Sequence, residues 1–324
     1  MASLTPNLVR SVSRHGVLIA LVALILFGYL RYENFLGAFN ILSVLRYNAM
    51  FALVALGMAY VIMTGGIDLS VGSTAALGSV VAALLSPYGA LPGLLGGVAA
   101  GLAVGAINAL VITRLSILPF IATLATMLAA SGAALLLAGN QSVSVSYETG
   151  FVELGQGDVL GFPVPAWIAA AAYLAGSVAL NLTAWGRTVL AVGGNEEATR
   201  LMGLSADRAK ASVYLISGGL AGLAGVILAA QFGAGQPIEG VGWELFAIAS
   251  VVVGGTLLTG GVGSVGATLA GVLLLGLIFN ILNFENGLGW ISLSAYWQSV
   301  VRGAFLLLVV IIQARLVART DEPA

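Results

Sequence analysis

Long apolar stretches, separated by short clusters of glycine, proline and polar residues, run along almost the whole chain of 324 residues. A membrane-spanning helix needs about 20 mostly apolar residues. Divided at those clusters, the sequence gives ten candidate spans, at residues 16–31, 42–63, 70–86, 91–112, 117–138, 166–183, 211–232, 243–259, 264–282 and 294–313. The third and eighth are short, which leaves eight or nine spans if they are re-entrant segments. We predict an all-α polytopic membrane protein with about ten transmembrane helices, in a single domain covering residues 1–324.

One apolar stretch is interrupted by a glycine pair and a carboxylate. Residues 63–74 read MTGGIDLSVGST, so that Gly65 and Gly66 break a helix, Asp68 follows at the break and Ser70 leads into the next apolar run. Unwound backbone at membrane depth is tolerated only where protein or a water-filled cavity covers it. A carboxylate there can cap the helix that starts near Leu69, or it can belong to a transport site. The two interpretations are compatible.

A similar break recurs in the second half of the chain. Thr64-Gly65-Gly66 matches Thr259-Gly260-Gly261, Phe51-Ala52 matches Phe246-Ala247 in the same register, and Ser264-Val265-Gly266 repeats Ser70-Val71-Gly72 after the loss of one residue. Paired glycine-interrupted segments in two halves of a membrane protein indicate a transport pathway. Chance recurrence of small residues in an apolar sequence is the alternative. We predict helix breaks at Gly65, Gly66, Gly260 and Gly261.

The composition excludes several classes of protein. Hydrophobic residues make up 60% of the chain and charged residues 8%, with a mean hydropathy of +1.06. A soluble domain carries about 25% charged residues, so this sequence cannot cover itself with a water-exposed surface. It has no cysteine, which excludes disulfides and thiol chemistry. A net charge of −1 predicts no nucleic-acid partner.

The basic residues predict the orientation, because Lys and Arg collect on the cytoplasmic side of membrane proteins. With ten spans and a cytoplasmic N-terminus, nine of the twelve Lys and Arg residues lie inside. Both termini are therefore predicted to be cytoplasmic. Residues 1–15 form the N-terminal segment, before a retained first span rather than a cleaved signal peptide. Residues 139–165 form the longest outer loop, residues 186–210 the longest inner loop, and residues 314–324 a cytoplasmic tail.

The inner loop contains a short predicted helix. Asn195 is a suitable N-cap, acidic residues occupy the first turn where the helix dipole favours them, and Gly203 is suited to the position after the C-cap. A helix of about two turns is unstable alone in water. It either lies on the bilayer surface or docks in a groove of a cytoplasmic partner. The residues that define it are Asn195, Glu196, Glu197, Arg200, Leu201 and Gly203.

Several polar and aromatic residues fall inside or beside the predicted spans. Arg46 and Arg302 lie within spans, where arginine is costly, so each is expected to face protein or water. We predict a translocation pathway lined by Asp68, Ser70, Asn48, Asn108 and Asn280. For each of the three asparagines, the alternative role is to hold helices together. Trp243 is expected near the outer end of a span, as an interfacial residue.

Sequence features of an enzyme are missing. The chain has no GxxxxGK[ST] sequence and only one lysine, so it has no nucleotide-binding P-loop of its own. No cluster of His, Asp and Glu suggests a metal or cofactor site, and we predict no catalytic residue. A transport function is therefore the leading prediction for this chain. A stand-alone channel or an ion-coupled carrier for small polar solutes is the alternative to an ATP-driven importer, although a lone carboxylate near mid-depth disfavours a proton-driven carrier.

The segments taken together resemble one family. They are residues 64–73 (TGGIDLSVGS), 118–124 (LPFIATL), 193–203 (GGNEEATRLMG), 217–222 (SGGLAG) and 254–261 (GGTLLTGG). In this order they resemble the membrane permease subunits of bacterial ABC importers for monosaccharides, the ribose/xylose/galactoside-type family, over residues 40–313. Residues 254–266 and 282–285 (LNFE) look closest to the galactofuranose-type branch, in which two different permeases pair.

The resemblance implies an ABC importer permease fold in the bacterial inner membrane. It implies that residues 195–203 are the coupling helix seated in a cleft of a separate ATPase subunit, although Thr199 departs from the family pattern there. It further implies a periplasmic sugar-binding protein on the outer face and a second permease, identical or homologous. The implied substrate is a monosaccharide, and ATP hydrolysis belongs to the partner.

Overall fold

A computed structural model describes the backbone of residues 6–287 and the side chains of residues 16–286, together with Trp297, Val300, Gly303 and Ala304. The described residues group into two compact units. One contains the residues up to Gly37 and those from Leu273 onward, and the other is Ala38–Val272. The predicted tail 314–324 and, apart from those four residues, the predicted span 294–313 lie outside the described residues, as does Arg302.

The chain is almost entirely helical. Its first half contains α1 Pro6–Arg31, α2 Ala38–Met63, α3 Val71–Leu85, α4 Ala90–Arg114 and α5 Pro119–Ala138. Residues 139–163 form the short elements β1 Val143–Ser144, α6 Glu153–Gln156, β2 Asp158–Val159 and β3 Phe162–Pro163. The remaining elements are α7 Val164–Leu182, α8 Ala184–Gly194, α9 Glu196–Leu201, α10 Ala206–Phe232, β4 Ala234–Gly235, α11 Trp243–Val253 and α12 Val265–Gly287. Strand β1 pairs antiparallel with β4, and β2 with β3.

Seven of the described helices are long and apolar enough to cross a membrane: α2, α3 with its following turn, α4, α5, α7, α10 and α12. This confirms an all-α polytopic membrane protein but does not support the count of about ten spans. The apolar part of α1, Gly16–Arg31, is shorter than a span, and so is α11. The predicted span 243–259 holds only the 11 residues of α11, because the chain leaves the helix at Gly254 and Gly255, the latter with a φ of +87°.

Helices α2 and α10 form the centre of the larger unit. Every residue of α2 from Asn48 to Met63 is buried, and a helix buried on all sides is surrounded by protein rather than lipid. Helix α10 packs closely against α4 through glycines: a Cβ atom added to Gly101 would lie 2.2 Å from the carbonyl oxygen of Gly218. Small residues permit such approaches between membrane helices.

The smaller unit has its own aromatic cluster. Tyr32 and Phe35, in the turn after α1, pack against Leu277 and Phe284 of α12. The Tyr32 hydroxyl group donates a 2.6 Å hydrogen bond to Glu285. The turn is therefore held to this part of α12 by both apolar and polar contacts.

Candidate functional site

The two glycine-containing segments that repeat in the sequence lie against each other. Helix α2 ends at Met63 and α3 begins at Val71, while Gly260 and Gly261 lie between α11 and α12 with φ values of +85° and +79°. The Gly261 amide donates a 2.9 Å hydrogen bond to the carbonyl oxygen of Met63. A Cβ atom on Gly260 would lie 2.7 Å from the amide nitrogen of Gly65.

A third backbone segment completes this junction. Gly193, near the end of α8, lies so close that an added Cβ atom would be 1.9 Å from the Met63 carbonyl oxygen and 2.3 Å from the Gly261 amide nitrogen. We call the meeting of residues 63–66, 193–194 and 259–261 the glycine junction. Three stretches of backbone touch there with almost no side chain between them.

Asp68, just beyond the junction, is 1% exposed and accepts three hydrogen bonds. One carboxylate oxygen accepts from the Ser70 amide at 3.0 Å and from the Ser70 hydroxyl group at 2.6 Å. The other oxygen accepts from the Ser217 hydroxyl group of α10 at 2.8 Å. The bond to the Ser70 amide is a local turn contact and not the predicted cap, because α3 begins at Val71 and its N-cap is Ser70 rather than Asp68. The bond to Ser217 adds a tie across the fold.

The hydrogen bonds continue into two further helices. The Asn108 side-chain amide of α4 donates to the Ser70 hydroxyl oxygen at 2.9 Å, and Thr126 of α5 donates to the Asn108 carbonyl oxygen at 2.6 Å. In the series Thr126, Asn108 and Ser70, each side chain donates toward Asp68, so the carboxyl group accepts at the end of the series. We call Asp68, Ser70, Asn108, Thr126 and Ser217 the polar network, of which all but the half-buried Thr126 are buried.

The structure thus brings together three of the five residues predicted for the pathway: Asp68, Ser70 and Asn108. Asn48 donates instead to the Val44 carbonyl oxygen of its own helix at 2.8 Å, and its own carbonyl oxygen is buried without a partner in the described part of the chain. Asn280 belongs to the smaller unit. The polar network also contains two residues that sequence reasoning did not select as site residues, Thr126 and Ser217. Ser217 begins the SGGLAG segment, and that position was the available signal.

Arg46, which the sequence places inside a span, is accounted for by an ion pair. Its guanidinium group lies 2.7 Å from the carboxylate of Asp158 in β2. The arginine side chain is 25% exposed and the aspartate side chain 51% exposed. Arg46 therefore faces a protein partner, as expected for an arginine close to a membrane.

The inner-loop segment contains α8 and α9 rather than an open loop. The Asn195 side chain caps α9 by accepting from the Ala198 amide at 2.9 Å, and Gly203 adopts a φ of +80° after the helix, as their sequence positions predict. Thr199 is buried, whereas Leu201 is 84% and Met202 66% exposed. Helix α9 thus presents two large apolar side chains outward.

Charged side chains fasten α9 to the start of α10. Arg200 contacts Glu196 at 3.1 Å and Asp207 at 2.5 Å, and Lys210 pairs with Glu196. Glu197, three residues before Arg200, takes part in no ion pair within the described residues. Burial alone would raise the pKa of Glu196, but its hydrogen bonds to Lys210 and Arg200 and their positive charges outweigh that effect, so its pKa lies below the ordinary value.

Comparison with known proteins identifies close relatives over nearly the whole chain. Residues 40–310 match the family model described as branched-chain amino acid transport system / permease component. The chain is 39% identical over 304 residues to the ribose import permease protein RbsC of Escherichia coli K12, covering 91% of this chain and 92% of that protein. It is also 39% identical to RbsC of Bacillus subtilis, covering 93% and 92%.

A third relative carries a different sugar in its name. The L-arabinose transport system permease protein AraH of Escherichia coli K12 is 35% identical over 302 residues, covering 92% of this chain and 89% of the relative. No solved structure matches the chain significantly. The resemblance to the galactofuranose-type branch stays a prediction from sequence.

Proposed function

The chain belongs to the family of branched-chain amino acid transport system permease components, and from that premise we propose that it is the pathway-forming permease subunit of an ATP-driven ABC importer for a monosaccharide. The family description mentions amino acids, but the relatives at 35–39% identity are named for ribose and L-arabinose. These pentoses make a monosaccharide the substrate class that the comparisons favour. Uptake of D-ribose and L-arabinose is therefore the first assay.

The observation that carries this proposal is the exposed end of α9. Leu201 and Met202 project from a helix too short to be stable alone, and the ion pairs of Arg200 hold that helix on α10. A rigid helix with an outward apolar end is suited to a groove in another protein. Because this chain has no P-loop and a single lysine, we assign that groove to a separate ATPase subunit.

The glycine junction offers a direct route from α9 into the membrane. Gly193 and Gly194 immediately precede Asn195, the cap of α9, and they touch the backbone at Met63 and Gly261. Contacts between packed backbones transmit displacement because there is no empty space to absorb it. When the ATPase moves α9, both helix breaks move with it, and Asp68 lies just beyond the first.

The remaining parts of the proposal concern topology and partners. We place both termini in the cytoplasm, residues 139–165 outside and residues 186–210 inside, in the bacterial inner membrane. A total of about ten membrane-crossing segments would include α1, the α11 region and residues 294–313. A periplasmic sugar-binding protein would deliver the sugar to the outer face, and a second permease, identical or homologous, would complete the pathway.

The deciding experiment is affinity purification of the tagged chain after co-expression with the ATPase and permease subunits from its own genomic neighbourhood. We expect the ATPase to co-purify and Leu201→Asp to abolish its capture together with sugar uptake. Leu160→Asp is the matched control, because Leu160 is 85% exposed in the outer-loop segment and should leave ATPase capture unchanged. A well-folded chain that repeatedly purifies alone would favour a stand-alone channel or an ion-coupled carrier.

A further inference from the structure

After α10 the chain turns back along α3. Its direction is given by contacts at two points: the Gln236 amide donates a 3.0 Å hydrogen bond to the Ser79 hydroxyl oxygen, and a Cβ atom added to Gly240 would lie 1.8 Å from the Gly72 carbonyl oxygen. Ser79 is the ninth residue of α3 and Gly72 the second. Residues 236–242 (QPIEGVG) therefore run antiparallel to α3 toward its N-terminus, and we call them the re-entrant segment.

The depth of this segment in the membrane follows from its position along helix α10. Its 27 residues span about 40 Å, somewhat more than the hydrocarbon core of roughly 30 Å. Ser217, at the level of Asp68, lies about 16 Å from the start of α10, and Gly225, which touches α3 at Ser79, lies about 28 Å from it. Gly72 is one helical turn or less beyond Ser70. The re-entrant segment therefore lies in the central part of the membrane rather than outside it.

This depth differs from what the sequence predicts. Residues 236–242 contain proline and glycine and lie between two apolar runs, which predicts an ordinary outer loop. Trp243, which follows them, is then predicted to be an interfacial residue. Trp243 is instead 6% exposed and packs against Phe51, in the middle of α2, with ring centroids 4.8 Å apart. That contact anchors the far end of the segment at mid-depth.

The outward face of the segment is incompatible with lipid. It makes turns rather than helix or strand, and irregular backbone at membrane depth occurs only where it is buried in protein or lines a water-filled cavity. Ile238 is 66% exposed, Val241 84% exposed, and Glu239 between them is also exposed. Glu239 takes part in no ion pair within the described residues. A carboxylate on such a face requires water or a polar ligand.

We propose that the re-entrant segment is a wall of the sugar pathway and that Glu239 accepts hydrogen bonds from the hydroxyl groups of the passing monosaccharide. This rests on the proposed function, because it assigns the space that the exposed face of the segment borders to the transported sugar. Glu239, rather than Asp68, is then the carboxylate that lines the sugar pathway. Asp68 is buried and already accepts hydrogen bonds from Ser70 and Ser217. Carboxylates bind hydroxyl donors strongly enough to orient a sugar, and the apolar neighbours of Glu239 keep the wall otherwise weakly binding.

Cysteine accessibility tests the location of the segment, since the natural chain contains no cysteine. Ile238→Cys is compared with Leu128→Cys, because both positions are 66% exposed but Leu128 lies midway along the regular helix α5. Both full-length variants are assembled with their co-expressed partners in membranes and treated with a charged, water-soluble methanethiosulfonate. A thiol in an apolar environment keeps its proton and reacts slowly, so we expect Ile238→Cys to react roughly tenfold faster or more. Equal rates would overturn the proposed wall.

A second measurement addresses the ligand. D-ribose or L-arabinose, whichever the assembled transporter takes up, should slow the modification of Ile238→Cys, and Glu239→Ala should raise the sugar concentration for half-maximal uptake more than Glu239→Gln, which still presents a carbonyl oxygen. Absence of both effects would overturn the role of Glu239. Because thiol modification is read without transport, a transporter inactive toward both sugars contradicts the proposed substrate class while the position of the wall is still decided.

Discussion

The Ser217 hydroxyl group donates a 2.8 Å hydrogen bond to the Asp68 carboxylate, joining α10 to the break before α3. Asp68 is 1% exposed and Ser217 is fully buried. Their contact is therefore a hydrogen bond to a carboxyl group in the interior of the helix bundle. The conformation of the break is therefore stabilised by a residue of α10, a helix whose first turn also contacts α9 through the Arg200–Asp207 ion pair.

Removal of this hydroxyl group should destabilise the protein. Ser217→Ala leaves one oxygen of a buried carboxylate with no protein donor, at an expected cost of about 1–3 kcal/mol. The measurement is the thermal unfolding midpoint of the purified protein in detergent. Ser73→Ala serves as control, because the Ser73 hydroxyl group bonds only to the Ser70 carbonyl oxygen in its own helix. An equal shift in both variants would show that the Asp68 contact is unimportant for stability.

The effects of substituting Asn108 and Thr126 on stability should be coupled, because the two side chains share a hydrogen bond. In Asn108→Leu the Thr126 hydroxyl group loses this acceptor and retains the Ala122 and Thr123 carbonyl oxygens of its own helix. Thr126→Val strands the Asn108 carbonyl oxygen, whereas the double variant removes both groups of this 2.6 Å hydrogen bond. We expect the double variant to lose less stability than the sum of the single variants, with a coupling energy of about 0.5–3 kcal/mol. Unfolding of the four proteins measures it. Strict additivity would mean that the bond contributes nothing.

The glycine junction supplies its own matched pair. Gly193→Ala would put a Cβ atom 1.9 Å from the Met63 carbonyl oxygen, whereas no described residue lies within 4 Å of the same atom on Gly194. Gly193→Ala should therefore separate the three backbone segments and abolish ATP-dependent uptake, while Gly194→Ala should retain it. Uptake is normalised to the amount of chain in the membrane. Normal uptake by Gly193→Ala would contradict the transmission of movement through this contact.

The attachment of α9 to α10 should depend on pH. Since the folded-state pKa of Glu196 is lowered, its ion pairs contribute fully above the unfolded value of about 4.3 and are lost as pH falls through the lower folded value. A fluorophore on Leu201→Cys should therefore become more mobile only at acidic pH, as its anisotropy reports. Glu196→Gln should give high mobility already at neutral pH, and Glu197→Gln should preserve the transition. A transition that survives in Glu196→Gln would assign it to another group.

Close helix packing predicts opposite effects at two helical glycines. Gly101→Ala forces a methyl group against the backbone of Gly218 and should cost about 1–3 kcal/mol through overpacking. Among the described residues, no atom lies within 4 Å of a Cβ atom on Gly132, so Gly132→Ala should be neutral or stabilise α5 by about 0.5–1 kcal/mol. Unfolding midpoints of the two variants should move in opposite directions or differ clearly. Similar midpoints would contradict the close contact of α4 and α10.

The class of protein and most of the helices can be predicted from the order of residues alone. Runs of apolar residues without charges can only be buried or face lipid, so their lengths and the glycine and proline residues between them predict spans. Capping is equally local, which is why Asn195 and Gly203 mark the ends of α9 correctly. The repeated Thr-Gly-Gly segments and the resemblance to sugar permeases likewise follow from residue order alone.

The contacts between residues distant in sequence, and the depth of each segment, become visible once the helices are packed together. Ser217 and Thr126 join Asp68 through contacts between helices, and no local pattern encodes such a contact. Arg200 of α9 also pairs with Asp207, because α10 starts beside α9. A hydropathy profile places residues 236–242 outside the membrane, because it takes no account of which residues pack together in space. The packing of Gly240 on Gly72 and of Trp243 on Phe51 places that segment at mid-depth.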